Sequence, residues 1–178
     1  MVLFPRELLV AVGTTWSAYF NCSVQGTDPG PIGHLSQTLG CTGLAIHCVT
    51  GGDRAAPVYK PPATSFELFG AAPTGRLNSI RSVACVSDGS RWEFQALGVP
   101  QPFEEAQAYQ SQRVRDRFTP EMLQRYCRSV VGIDVFDAAN YGHMSVLIET
   151  DAVISHEAKR LSLDEAQRWL GIAPRRLA

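Results

Sequence analysis

The sequence predicts an α+β domain: a mostly antiparallel sheet of about five or six strands, with the helices of the C-terminal half packed on one face. Three observations predict it. Short alternating apolar and polar runs, punctuated by glycine, fill the first half of the chain; such alternation is the period of a half-buried strand. Asp88-Gly89 stands between two of these runs, a strong hairpin signal. Beyond Pro100 and Pro102 the apolar spacing lengthens to the three- and four-residue steps of helices. Strands that precede helices favour an α+β layer over a βαβ unit. At 178 residues the chain fits one globular domain, 1–178, long enough to bury a core without covalent staples.

Glu7–Val12 and Thr15–Cys22 read as a strand pair around the turn Gly13–Thr15. Trp16, Ala18 and Phe20 share one face of the second strand, and Ser17 and Tyr19 the other. After the loop QGTDPGP, Ile32, Leu35 and Leu39 recur at helical spacing before Gly40, which predicts a short helix leading into the strand GLAIHCV. The glycine and proline content of TGGDRAAPVYKPPAT predicts a flexible surface loop near residues 50–64. A two-residue turn at Asp88-Gly89 would set Ser87 against Ser90, Cys85 against Trp92 and Val83 against Phe94. Those apolar residues then share the core face, while Ala84 with Glu93 and Ser82 with Gln95 share a wetter one.

Helices are expected at 104–117 and 120–131, the second with Thr119 as N-cap and Pro120 at its first position. Met122, Leu123, Tyr126, Cys127 and Val130 form its buried stripe, which Gly132 ends. HMSVLIET reads as a further strand. Ser162 and Glu165 make a capping box for a last helix closed by Gly171.

A formal charge of −1 gives no whole-molecule pull toward polyanions, so nucleic acid is not an expected partner. Pro5, Arg6 and Glu7 interrupt the apolar N-terminus, which is unlike a signal peptide, and no apolar window reaches the roughly 18 residues of a membrane span. A cytoplasmic protein is expected. The odd cysteine count, with Cys22, Cys41, Cys48, Cys85 and Cys127, suits free thiols in a reducing compartment.

No stretch concentrates chemistry. In RVRDRFTPEMLQRYC, Arg113 and Arg117 would share a helical face that Arg115 does not, and all three fall where a helix end favours positive charge. GAAPTGRL imitates phosphate-loop glycine spacing, but Arg76 and Leu77 replace the lysine and hydroxyl that contact phosphate and magnesium. His34, Cys41, His47 and Cys48 match no common zinc spacing, and on a strand His47 and Cys48 point apart. Neither metal nor cofactor is expected. Cys41 or Cys48 could pair with His143 or His156 as nucleophile and base only across the fold, and buried packing explains most of these cysteines. Glu104 and Glu105 suit a helix start, and Asp134 and Asp137 suit caps.

What remains is surface. Tyr19 facing outward from its strand could anchor a partner, with Asp28 at the same end of the hairpin, Glu93 on the wet sheet face, and Arg113 and Arg117 as charged contacts. The tract LNSIRSVACVSDGSRWEFQALGVPQPFEE, followed by RVRDRFTPEMLQRYC, GIDVFDAANYG and SLDEAQRWLGI, resembles a group of uncharacterised single-domain bacterial proteins over the last two thirds of the chain. Their size and want of a catalytic signature are similar to those of small cytosolic proteins that neutralise interbacterial toxins. The resemblance implies an immunity-like binding role and transfers no functional residue. The leading expectation is therefore a non-catalytic binding protein with a protein partner. The alternatives are a small thiol or carboxylate enzyme with a site assembled from distant residues, and a small-molecule-binding module.

Overall fold

The computed structural model describes residues 6–21, 28–51, 60–71 and 78–149. One antiparallel sheet joins β1 (Arg6–Val12), β2 (Trp16–Asn21) and β7 (Tyr141–Glu149) in the order β2-β1-β7. A second joins β3 (Gly43–Val49), β4 (Ala63–Phe69), β5 (Ser79–Ser87) and β6 (Trp92–Gly98) in chain order. The helices are α1 (Gly30–Leu39) and α2 (Pro120–Val131). The arrangement is α+β, but in place of the expected sheet of five or six strands the described residues form two sheets holding seven. The reason is that β7 returns to β1, pairing Val146 with Leu9, instead of extending the larger sheet.

The first hairpin follows its sequence signals. Val12 faces Trp16 across a loop in which Gly13 takes a positive φ of 58°, a conformation that favours glycine. The second hairpin departs from the expected register by two residues. Ser87 pairs with Trp92, Cys85 with Phe94 and Val83 with Ala96. A two-residue I′ or II′ turn would need positive φ at Asp88, and of the pair only Gly89 has it. Asp88 Oδ1 instead accepts from Ser90 N, Ser90 Oγ and Arg91 N at 2.7–2.8 Å, which closes a longer loop. A slip of two keeps each side chain on its face, so the expected core face survives.

α2 forms as its signals dictate. Thr119 Oγ1 accepts from Met122 N, Gly132 ends the helix at φ 83°, and Met122, Leu123, Tyr126 and Cys127 are buried. The helix expected at 104–117 does not form. Two isolated 3-10 turns, Ala108–Gln110 and Val114–Asp116, stand there, separated by an extended Ser111. This stretch is held by side chains that reach into the core rather than by its own backbone ladder: Glu104 and Tyr109 hydrogen-bond Arg81 and Tyr126, as described below.

Of the C-terminal helices expected to pack on one face, α2 is the one α-helix among the described residues, and α1, from the first half, lies elsewhere. Leu44 packs into the main core with α2, whereas a Cβ on neighbouring Gly43 would touch Ile32 and Ser36 of α1. Adjacent strand residues point to opposite faces, so α1 lies on the opposite side of the sheet from α2. α1 buries Gly33 and Ser36, while Leu35 and Leu39 of the expected apolar stripe stay exposed. Its close approach to β3 needs small residues on the contact line.

The core lies between the four-stranded sheet and residues 103–130. Phe66, Leu68, Val83 and Cys85 of the sheet meet Tyr109, Phe118, Met122, Leu123, Tyr126 and Cys127. Rings of Phe66, Phe103 and Phe118 surround Tyr126 with centroids 5.4–5.9 Å away, spacings at which tilted and edge-on rings attract. The loop expected near 50–64 ends by Ala63, where β4 begins, and its residues 52–59 lie outside the described residues, as does the helix expected at Ser162–Gly171.

Candidate functional site

Two constellations stand out, one buried and polar, the other exposed and apolar. The polar one begins at Arg81, on the core-facing side of β5 in step with Val83 and Cys85. Its guanidinium grips the Glu104 carboxylate through Nε at 2.9 Å and Nη2 at 2.7 Å, and the two side chains are 3% and 1% exposed. Nη1 also donates to the carbonyls of Leu97 and Gly98 at 3.2 and 2.9 Å. Glu104 accepts two further bonds, from Gln101 N at 2.7 Å and Tyr109 Oη at 2.8 Å. An ionised carboxylate only accepts, so Tyr109 gives its proton to Glu104, and Tyr126, 3.0 Å away, gives its own to Tyr109. Tyr126 Oη in turn accepts from Glu105 N at 2.7 Å.

Burial raises the Glu104 pKa, but the bonds from Arg81, Gln101 and Tyr109 outweigh it and leave the carboxyl below its ordinary value. Arg81 moves up: burial opposes its charge, and Glu104 more than restores it. Burial is the first cause holding both tyrosines above the usual phenol range. Each group is thereby fixed in its ordinary charge state. A bidentate pair with every oxygen occupied is a clamp between β5, the chain after β6, and α2. Both Glu104 oxygens are taken up within the cluster.

Three of the described thiols, Cys48, Cys85 and Cys127, are shifted toward their protonated form. Burial raises Cys48, with Glu121 adding to the effect; burial also raises Cys85, and it pushes Cys127 up to about 12. Cys85 donates to the Val114 carbonyl at 3.2 Å. His47, half-buried on the other face of β3 from Cys48, is lowered by burial and then by Lys60. Among the described residues no group of three His, Cys, Asp or Glu side chains is placed to hold a metal ion. His143 is exposed, and Cys22 and His156 lie outside the described residues. Among the described residues, a depression of about 280 Å³ lies over Ala84, Val86, Glu93, Phe94 and Gln95, and one of about 160 Å³ is lined by Cys48, Pro120, Glu121, Gln124 and Phe136.

The residues singled out for partner binding stand on different elements. Tyr19 is half-buried in a row with Leu9 and Val146 on one face of the three-stranded sheet. Asp28 is exposed and accepts from Gly30 N at 2.9 Å at the start of α1. Glu93, exposed on β6, pairs with Arg91 at 2.7 Å. Arg113 is exposed, whereas Arg117 donates to the Ser111 carbonyl at 2.9 Å and lies over the Phe94 ring, on the other side of β6 from Glu93. Arg115 pairs with Asp116 at 3.6 Å. The tract therefore forms no single cationic cradle.

The second constellation was missed. On β7, Met144, Val146, Leu147 and Ile148 are 79%, 60%, 58% and 42% exposed, and Phe20 on β2 is 46% exposed. Cross-strand rows place Leu147 with Leu8 and Phe20 on one face, and Val146 with Leu9 and Tyr19 on the other. Met144, Val146 and Ile148 thus make one face of β7 apolar and exposed, and Leu147 stands exposed on the other. The alternation of HMSVLIET showed a strand but not its place in a sheet. Arg81 did carry a signal, a charged residue at a core parity of SIRSVACV. No protein-family model matches this chain, and no curated protein or solved structure shows significant similarity to it. Among the described residues no helix is long and apolar enough to cross a membrane.

Proposed function

We propose that this chain is a non-catalytic binding protein that acts through a protein–protein surface on its three-stranded sheet. One observation carries the reading: four large apolar side chains of β7 stand in solvent on both faces of a sheet edge. Contiguous exposed apolar surface is disfavoured in a lone domain and marks contact surfaces. Tyr19, in the row of Val146 and Leu9, supplies an aromatic of the kind that anchors interfaces. The fully occupied Arg81–Glu104 cluster supports a structural role for the buried charges. A toxin-neutralising role is the form of this function to which the sequence resemblance points.

The test is affinity capture from the native host with the full chain and with a Met144→Lys/Val146→Lys variant. Both positions are exposed, so circular dichroism should show an unchanged fold. A stoichiometric protein retained by the parent and lost by the variant is the expected result. A partner held equally by both, or repeated capture of nothing, would overturn the assignment of the surface.

A further inference from the structure

We infer that β7 pairs edge to edge with β7 of a second copy of this chain, so that two three-stranded sheets join into one. This deepens the reading of β7 as an interaction surface and rests on it. Among the described residues β7 has β1 on one side and no strand on the other. An open edge is a template for strand addition, and proteins usually blunt it with lysine, proline or inward charge. None of these occurs in YGHMSVLI; the strand's one acid, Glu149, stands at its end.

The exposure pattern selects the kind of occupant. A helix or loop laid over the sheet would cover one face, yet Leu147 is open on one face and Val146 and Ile148 on the other. Only an added strand extends both faces at once, because its side chains alternate in the same way. The occupant must also complement the sequence it meets. Opposite Val10 to Val12 the pairing with β1 is irregular, which leaves Ser145–Glu149 as the regular stretch, paired with Arg6–Val10. Set antiparallel against itself about a two-fold axis, this stretch places Leu147 against Leu147 of the second copy and Val146 against Ile148 of the second copy. Ser145 then meets Glu149 of the second copy. Apolar pairs fill the centre, and no like charges oppose one another. That is the self-complementarity an isologous interface requires. The segment is short, so the association is weak and reversible, at the small end of interface sizes.

Sedimentation of the full chain over a concentration series tests this, together with Leu147→Lys, Leu147→Glu and their equimolar mixture. The parent should show a concentration-dependent monomer–dimer equilibrium. Each variant alone replaces an apolar pair by like charges face to face on the axis and should weaken association by about two- to fivefold. The mixture sets lysine against glutamate and should restore it. Amide exchange at 145–149 in the parent should slow as concentration rises, a readout that needs no variant. A parent that stays monomeric into the millimolar range, or a dimer indifferent to charge at Leu147, overturns the pairing. A monomeric chain whose partner is still lost on Met144→Lys/Val146→Lys would refute the dimer alone and leave the binding surface standing.

Discussion

Replacing Glu104 by glutamine probes the polar cluster with the least change in shape. The carboxylate takes bonds from Arg81 Nε, Arg81 Nη2, Gln101 N and Tyr109 Oη. An amide offers one oxygen and turns an NH2 toward groups that are themselves donors, so about half of these contacts become donor against donor. Arg81, 3% exposed, stays charged and loses its counter-ion. Removing one partner of a buried pair costs about 3–5 kcal/mol. For a chain of this length that corresponds to a fall in Tm of about 10 °C, at roughly 2–4 °C per kcal/mol. Urea unfolding followed by circular dichroism measures it. A companion Arg81→Met/Glu104→Leu variant should recover much of the loss, because no unpaired charge remains. The pH dependence has a defined sign. Glu104 titrates lower folded than unfolded, so its contribution is complete above the unfolded value of about 4.3 and disappears as pH falls through the folded value. The gap between parent and Glu104→Gln should therefore close in acid. A loss below about 1 kcal/mol at neutral pH, the size of an exposed pair, would show that the cluster is wet and refute the reasoning.

Two further outcomes follow from the backbone and the thiols. Gly98 has a φ of 83°, and a Cβ there would collide with the Ile80 carbonyl and Arg81 Cα. Gly98→Ala should therefore cost clearly more than Gly132→Ala, which has the same φ and open space and should lose only about 1–2 kcal/mol; equal losses by urea unfolding would contradict the collision. A thiol reagent at pH 8, read by peptide mass spectrometry, should label exposed Cys41 in the native protein and reach buried Cys85 and Cys127 only after denaturation. Prompt native labelling of Cys127 would contradict its burial.

Local grammar carried far in this sequence. Thr119, Pro120 and Gly132 bounded α2 because capping and positive φ are decided within a turn of chain. Parity placed Val83, Cys85, Trp92 and Phe94 on one face even though the turn at Asp88 lengthened the loop, since a shift of two does not change sides. Non-local choices were illegible. Nothing in HMSVLIET says that it will pair with β1, and the stretch 104–117 has helix-forming residues whose ordering comes from Arg81 and Tyr126, 23 residues before Glu104 and 21 after Glu105. For the site the balance is similar. Arg81 was visible as a charge out of place in an apolar pattern, but the open rows of β7 needed the strand order before they had meaning.

The proton chain running from Tyr126 through Tyr109 to Glu104 and Arg81 has a bearing on how such a molecule can diverge. Its four side chains come from three stretches of the chain, β5, the segment holding both Glu104 and Tyr109, and α2, and each answers the valence of the next, so a change at one position strands its neighbour without water. Descendants of this sequence can drift freely along the solvent side of β6, while positions 81 and 104 are inherited as a pair or exchanged as a pair. That coupled inheritance would mark the same architecture in relatives whose remaining residues have changed beyond recognition.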